Sequence, residues 1–171
     1  MSKNGRTAKL GMSIAAVALL AVVGLVVVSC GSSGSGGPSG RIRPVLLTAT
    51  VQGDSLSVPL NRVQGATNTR FVVSTPSGQE SFMAYVYKGQ TYVRASICVP
   101  CGGQSYSLQG NNLVCDTCGT VFDAATGKGK SGVPACQTYG KASAPFQVVD
   151  GNIVMKNADL LAAFQRTLDR S

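Results

Sequence analysis

Four cysteines in one short stretch are the residues best suited to chemistry in this chain. The stretch CVPCGGQSYSLQGNNLVCDTCG runs from Cys98 to Gly119 and holds two Cys-x-x-Cys-Gly units, with 13 residues between Cys101 and Cys115. The chain contains no histidine, so a soft metal ion would have to be bound by thiolates. Cysteines in this arrangement can form a four-sulfur metal site, a pair of disulfides or a redox-active dithiol.

Each unit, CVPCG and CDTCG, has the form of a metal-binding knuckle. Two thiolates separated by two residues can approach one ion from a tight turn. The glycine that follows can adopt a positive φ and let backbone N–H groups face the sulfurs. The residues between the units predict a hairpin with a turn at Gly110-Asn111-Asn112. Because a hairpin would bring the two knuckles together, the spacing predicts a tetrahedral four-sulfur site.

The N-terminus predicts a lipoprotein signal peptide over residues 1–29. Met1–Ser13 is polar and cationic, and Ile14–Val28 is an unbroken apolar run. The sequence Val-Val-Ser-Cys that ends at Cys30 resembles a bacterial lipobox, so we expect Cys30 to be lipidated. Residues 30–40 would form the lipidated cysteine and a Gly/Ser tether. The alternative is an uncleaved anchor helix, although the run is short for a membrane span. Both interpretations place residue 31 onward outside the cytoplasm.

The compartment and the cysteine count leave two interpretations of the thiols open. If Cys30 is lipidated, five cysteines remain, including Cys136. An odd number fits four ligands plus one extra cysteine better than a complete disulfide framework. An oxidising compartment nevertheless favours disulfides. A thioredoxin-like dithiol requires a helix N-terminus, whereas strands and turns are predicted here.

The donor set restricts the metal without fixing it. All-sulfur tetrahedral ligation suits zinc, a single iron ion or an iron–sulfur cluster, and Rieske ligation is excluded because it needs two histidines. The N-terminus lacks a twin arginine, so the chain is expected to cross the membrane unfolded and to acquire any cluster outside. The residues alone therefore favour zinc or mononuclear iron.

Residues 41–171 predict one small, mainly β domain with antiparallel strands, a cysteine-knuckle metal site and one C-terminal helix. Phe82–Tyr87 alternates, with Phe82, Ala84 and Val86 on one face and Met83, Tyr85 and Tyr87 on the other. Asn157 is predicted to cap the final helix. That helix has an apolar stripe of four residues: Leu160, Leu161, Phe164 and Leu168.

Charge and motifs argue against other classes of function. The chain has a net charge of +8, from 15 Lys and Arg against 7 Asp and Glu. Its local cluster, Lys128, Lys130 and Lys141, lies in a Gly-rich segment without interleaved aromatics, which indicates a solvated loop and no nucleic-acid partner. No acid–base pair, nucleophile–base pair or phosphate loop is evident. The sequence therefore favours a metal-binding or electron-transfer protein over an enzyme.

The segments YVRASICVPC (residues 92–101), NLVCDTCGTVF (112–122) and VDGNIV (149–154) resemble the FtrD-like membrane iron–sulfur-containing protein family over about residues 45–165. The resemblance implies an extracytoplasmic, membrane-held protein that supports iron uptake by moving electrons, with a redox or permease partner. It also implies five metal ligands: Cys98, Cys101, Cys115, Cys118 and Cys136.

The leading hypothesis is a lipid-anchored protein on the extracytoplasmic face of a bacterial cell membrane, with an iron–sulfur cluster or a mononuclear iron. In it, the amides of Gly102 and Gly119 would tune the potential by hydrogen bonding to sulfur. The first alternative is a binding lipoprotein with a structural zinc knuckle. The second is a disulfide-stapled surface lipoprotein without metal.

Overall fold

A computed structural model describes residues 40–75 and 78–169. The predicted signal peptide and Cys30 lie outside these residues, as does the tether up to residue 39. None of the helices in the described part of the chain has the length and hydropathy needed to cross a membrane.

Short strands dominate, which confirms the predicted mainly β class with a C-terminal helix. In chain order the elements are β1 (Arg41–Ile42), β2 (Val45–Leu46), β3 (Thr50–Gln52), β4 (Ser55–Pro59), α1 (Leu60–Ala66), β5 (Asn68–Thr75), β6 (Gly78–Tyr87), β7 (Gln90–Ala95), β8 (Tyr106–Gln109), β9 (Asn112–Cys115), β10 (Val121–Asp123), β11 (Gly129–Ser131), α2 (Pro134–Gln137), β12 (Gln147–Val149), β13 (Asn152–Lys156) and α3 (Asn157–Leu168).

The strands form three sheets, and two of them combine strands from the beginning of the described chain with strands from its later part. The first has the order β2-β5-β6-β7, and the second has the order β12-β13-β4-β3. The third, with the order β1-β8-β9-β10-β11, contains the predicted cysteine hairpin as β8 and β9. All pairings are antiparallel except that of β2 with β5.

Strand β6 separates two hydrophobic clusters, because alternate side chains of a strand point to opposite faces. Phe82 and Ala84 face a cluster that we call the apolar core. Its buried members are Leu47, Leu56, Val58, Val63, Phe71, Val73, Phe82, Ala84, Val93, Ala95, Ala144, Ile153, Met155, Leu160 and Ala163. The other face of β6 meets a second group that we call the cysteine cluster. Its buried members are Met83, Tyr85, Tyr87, Cys98, Tyr106, Leu108, Leu113, Cys115, Phe122, Ala124 and Cys136.

Two helices pack on the apolar core, and only one of them was predicted. Helix α1 buries Val63 there, and no sequence pattern predicted this seven-residue helix. Helix α3 buries Leu160 and Ala163, whereas Leu161 is 38% exposed. The predicted cap is wrong: α3 begins at Asn157 itself, after the extended Lys156, and no side chain caps it.

Candidate metal centre

The two Cys-x-x-Cys units fold into equivalent knuckles. In the first, the Cys98 N–H donates to Gly103 O (2.7 Å) and the Gly102 N–H donates to Cys98 O (2.8 Å). In the second, the Cys115 N–H donates to Thr120 O (2.9 Å) and the Gly119 N–H donates to Cys115 O (2.9 Å). The same pair of backbone hydrogen bonds therefore closes both turns, and each turn orients its two thiols.

Glycine is needed at the fifth position of each knuckle, as the sequence predicts. Gly102 has φ 68° and Gly119 has φ 74°, values that side chains disfavour. The predicted role of their amides is wrong, however, because both N–H groups donate to cysteine carbonyl oxygens and not to sulfur. In the second knuckle, the N–H groups of Thr117 and Cys118 face the Cys115 sulfur instead.

The hairpin of β8 and β9 brings the four knuckle thiols together. The Sγ atoms of Cys98, Cys101, Cys115 and Cys118 all lie within 4.8 Å of one another, and those of Cys101 and Cys115 are 3.9 Å apart. None of the five described cysteines forms a disulfide. The predicted juxtaposition of the knuckles is therefore present in the structure.

The four thiols differ in their access to solvent. Cys98 and Cys115, the first cysteine of each knuckle, are fully buried. Cys101 and Cys118, the second cysteine of each knuckle, are half-buried. A metal held by all four would therefore have one side in the protein interior and one side close to the surface.

Burial and hydrogen bonding act differently on these thiols. Burial raises the pKa of both Cys98 and Cys115 above the ordinary thiol value. Burial also opposes the Cys118 thiolate, but hydrogen bonds from Thr120 and from neighbouring thiols lower its pKa to about 6. Since thiolates are the form that binds metal, metal binding would release the protons of the two buried cysteines.

Thr120 is placed to stabilise the Cys118 thiolate. Its Oγ1 lies 3.2 Å from Cys118 Sγ and accepts a hydrogen bond from the Val133 N–H, also at 3.2 Å. The Cys118 thiol donates to this oxygen when it is protonated, and the Thr120 hydroxyl donates to the sulfur when Cys118 is a thiolate, since a thiolate can only accept.

The surroundings of the thiols fit a bound metal centre in two further respects. The buried hydroxyl of Tyr106 has no well-formed hydrogen bond among the described residues, and the Cys98 thiol lies close enough to act on it as a weak hydrogen-bonding neighbour. A Cβ on Gly103 would lie 2.8 Å from both Cys115 Sγ and Thr117 Oγ1, so this glycine leaves the space that the sulfur needs. The orphaned hydroxyl can donate to a metal-bound thiolate.

The sulfur spacing matches ligation of a single ion. Four thiolates at a metal–sulfur distance of about 2.3 Å form a tetrahedron with edges of about 3.8 Å, close to the 3.9 Å between Cys101 and Cys115. The same four-thiolate donor set also binds iron–sulfur clusters. A two-iron cluster carries its thiolates as two pairs, so it would require the knuckles to separate further.

Cys136, the fifth predicted ligand, lies beside the four-thiol group. It is buried on the single turn of α2, and its Sγ is 3.9 Å from Cys118 Sγ. Its role as a ligand stays a prediction. The structure shows that a fifth thiol lies within van der Waals reach of the site. The sequence position of Cys136, 18 residues after Cys118, does not by itself predict this proximity.

Asp116 ties the second knuckle to its hairpin. Its carboxylate accepts hydrogen bonds from Ser105 and Ser107 (both 2.6 Å) and forms an ion pair with Arg41 (2.7 Å). Burial opposes its ionisation, but these hydrogen bonds and the Arg41 charge lower the pKa of Asp116 below its ordinary value. The local sequence around Asp116 does not predict these contacts, because Arg41 lies 75 residues away.

Lys141 is the residue whose position was predicted least well. It was expected in a solvated loop, but it is only 1% exposed. Its ammonium donates to Ile97 O at 2.6 Å, next to the first ligand candidate. Burial lowers the pKa of Lys141 to about 8, and the neighbouring thiols oppose that shift. Sequence pattern carried no signal of this burial, because the segment around Lys141 is polar and rich in glycine.

Several solved structures match part of the chain. One is the complex of reduced oxygenase and oxidized ferredoxin in carbazole 1,9a-dioxygenase, with a TM-score of 0.49 and 20% identity over 62% of this chain and 95% of that chain. Another is the Sphingomonas yanoikuyae B1 ferredoxin, with a TM-score of 0.40 and 23% identity over 50% of this chain and 83% of that chain. No curated protein matches the chain.

Comparison with protein families gives a match that includes every cysteine of the site. The family described as "Membrane iron-sulfur containing protein FtrD-like" matches residues 63–166, which is more than half of the chain. The chain belongs to the FtrD-like family of membrane iron-sulfur containing proteins.

Proposed function

We propose that this chain is an electron-transfer protein in which Cys98, Cys101, Cys115 and Cys118 hold an iron–sulfur centre. The observation that carries the proposal is the meeting of four thiols from two equivalent knuckles within 4.8 Å. Membership of an iron–sulfur family supports iron as the metal. An iron centre ligated in this way supplies a one-electron redox couple.

The residues around the thiols suit electron transfer without a bound substrate. Buried Cys98 and Cys115 keep water from one side of the site, and the half-buried Cys101 and Cys118 leave the other side near the surface. A partner protein docked on that side would be close to the ligands. The N–H groups directed at Cys115 stabilise its thiolate and so contribute to the potential.

Metal analysis of the full-length protein tests the proposal. The chain would be purified anaerobically in detergent and analysed for iron, acid-labile sulfide and zinc, with visible and electron paramagnetic resonance spectra before and after dithionite. We expect bound iron with sulfur-to-iron charge-transfer bands that bleach reversibly on reduction. Colourless protein with one zinc ion would overturn the proposal.

A structural zinc or mononuclear iron site is the second candidate, and the sulfur spacing favours it. The 3.9 Å between Cys101 and Cys115 suits one ion, whereas a cluster requires a wider arrangement. The sulfide analysis separates these cases. A cluster gives labile sulfide in proportion to iron, a mononuclear iron gives iron without sulfide, and a structural site gives zinc alone.

We also propose that Cys30 is the lipidated N-terminus of the mature protein and holds it on the extracytoplasmic face of the cell membrane. The lipobox-like sequence supports this, as does the description of the family as membrane proteins. Mass spectrometry of the N-terminal peptide tests it. We expect an acylated Cys30 and release of a Cys30→Ala variant from membranes. An intact Met1 on membrane-bound protein would contradict cleavage and support an anchor helix.

Support of iron uptake, together with a redox or permease partner, is the physiological part of the proposal. It rests on the family resemblance. A strain of the producing bacterium that lacks the gene should take up iron more slowly under iron limitation, and the wild-type chain should restore uptake where Cys98→Ser does not. Uptake at the normal rate without the gene would contradict this role.

A further inference from the structure

The ammonium of Lys141 is buried without an acidic partner. The residue is 1% exposed, and the one ion pair among residues 40–75 and 78–169 joins Arg41 and Asp116. Lys141 Nζ donates to Ile97 O at 2.6 Å. It also lies 4.4 Å from the ring centroid of Phe122 and 5.4 Å from that of Tyr106. A carbonyl and two aromatic faces stabilise a cation, but they do not neutralise it.

A buried cation requires a nearby anion, because removal of its hydration shell is strongly unfavourable. In the thiolate form that metal ligation requires, the neighbouring Cys98, Cys101, Cys115 and Cys136 would supply that negative charge. The carbonyl that holds the ammonium belongs to Ile97, the residue before Cys98. Lys141 is therefore fixed against the backbone of the first knuckle and faces the proposed ligands.

The backbone of Lys141 is itself held in place, which makes the position of its charge specific. Its N–H donates to Gly127 O at 2.8 Å, and its carbonyl accepts from Arg94 Nη1 at 2.7 Å. A Cβ on Gly127 would lie 2.3 Å from Lys141 O, so only glycine allows this approach. The second buried cation, Arg94, has oxygen acceptors of its own: Tyr85 Oη and the carbonyl oxygens of Ala125, Thr126 and Lys141.

The positive charge of Lys141 then favours one redox state of the metal centre over the other. Four thiolates around one or two irons leave a net negative charge in the oxidised centre, and addition of one electron makes it more negative by one unit. No bond forms or breaks in this step, and the electron comes from an external one-electron donor. A fixed cation at short range stabilises the more negative state, so it raises the reduction potential.

We propose that Lys141 is the built-in counter-cation of the cysteine centre and a positioning residue that favours its reduced state. This inference rests on the proposed function, since it assumes a thiolate-ligated iron. Arg94 on β7 fixes the backbone of the glycine-rich segment, and Lys141 within that segment supplies the charge.

Potentiometric titration of iron-loaded full-length protein in detergent tests the inference, with dithionite as the reductant. Lys141→Met removes the charge and the hydrogen bond, Lys141→Gln keeps a donor without charge, and Lys141→Arg keeps the charge. Lys128→Met removes an exposed lysine of the same segment and is the matched control. We expect the first two variants to lower the reduction equilibrium constant at least tenfold, which is about 59 mV for one electron. The arginine variant and the control should stay near the wild-type potential.

Two results would overturn the inference. An unchanged potential in Lys141→Met would exclude an effect of the charge. A wild-type potential in Lys141→Gln would assign the effect to the hydrogen bond. If wild type is redox-active in either case, the proposed function stands and only the inference fails.

Cobalt binding gives a second readout that does not need iron. Metal-free, reduced protein would be titrated with Co²⁺ and followed by its thiolate charge-transfer absorption. We expect at least tenfold weaker binding in Lys141→Met than in Lys128→Met, because the four-thiolate site loses its counter-cation. Equal affinity would overturn the inference. If the purified wild type contains zinc and no iron, the electron-transfer proposal fails and this affinity alone decides the role of Lys141.

Discussion

The apolar core and the cysteine cluster share strand β6 but are stabilised in different ways. Every buried member of the apolar core is an apolar side chain, so burial alone stabilises it. The cysteine cluster buries thiols and the unpartnered hydroxyl of Tyr106, and Lys141 lies buried beside it. The comparison teaches that the apolar core depends on apolar packing, whereas the cysteine cluster also buries thiols that could hold a metal.

Replacement of a buried ligand should have the largest effect, and that effect should be confined to the cysteine cluster. Cys98→Ser removes a fully buried thiol from the four-sulfur group, so we expect complete loss of stoichiometric metal. Hydrogen exchange should then accelerate in β8 and β9 and stay slow in β5 and β13, which border the apolar core. Metal retained at the wild-type level would contradict the assignment of Cys98 as a ligand. Uniform loss of protection from hydrogen exchange would contradict the independence of the two clusters. Cys136→Ser is the companion variant: loss of metal there would make Cys136 a fifth essential residue.

A cavity in the apolar core should have the opposite effects: it should lower the stability of the fold and leave the metal site unchanged. Phe82 is fully buried and stacks on Phe71 with ring centroids 5.9 Å apart. Phe82→Ala should lower the free energy of unfolding by about 3–5 kcal/mol, measured by urea denaturation, and leave the metal spectrum unchanged. Leu161→Ala, at an exposed position on α3, is the control and should change stability by less than about 0.5 kcal/mol. A changed spectrum in Phe82→Ala would show that the clusters are coupled.

A single added methyl group should disturb the cysteine cluster alone. Gly103→Ala would place a Cβ 2.8 Å from Cys115 Sγ, whereas a Cβ on Gly65 in α1 meets nothing within 4 Å. We expect Gly103→Ala to weaken metal binding by about 10–100-fold, the range seen when groups that support metal ligands are altered. Gly65→Ala should leave binding unchanged in the same competition assay with a chelator. Equal affinities for the two variants would contradict the steric account of the site.

The smallest expected effect concerns the carboxylate that fastens the second knuckle. The pKa of Asp116 is lowered in the folded protein, so its contribution to stability is present above its unfolded pKa of about 3.9 and is lost as pH falls through the folded pKa. Asp116→Asn should lower the free energy of unfolding at pH 7 by about 1 kcal/mol and flatten its decline below about pH 4. Asp169→Asn, at an exposed position after α3, is the control. Parallel pH profiles for wild type and Asp116→Asn would contradict this role.

The sequence predicted the features that depend on local pattern. Alternation placed Phe82 and Met83 on opposite faces of β6, and both faces are buried. The Cys-x-x-Cys-Gly pattern predicted the positive φ of Gly102 and Gly119 and the approach of the two knuckles. These predictions succeeded because they rest on strand periodicity and on the backbone freedom of glycine, which neighbouring residues determine.

The features that depend on distant contacts were not predicted. Lys141 is buried because its segment packs on Arg94 and Ile97, 47 and 44 residues away, and its polar sequence indicated solvent. The steric need for glycine at position 103 comes from Cys115 on the other knuckle. The continuous run of residues 45–52 forms β2 and β3 in two different sheets, a division that follows from the pairing partners and not from the apolar pattern.

X-ray absorption at the iron and zinc edges of the full-length, anaerobically purified protein tests the central claim most directly. The account predicts an iron edge with an all-sulfur coordination shell in wild type, and loss of that signal in Cys98→Ser. A zinc edge alone, or iron surrounded by oxygen and nitrogen, would contradict a redox centre held by Cys98, Cys101, Cys115 and Cys118.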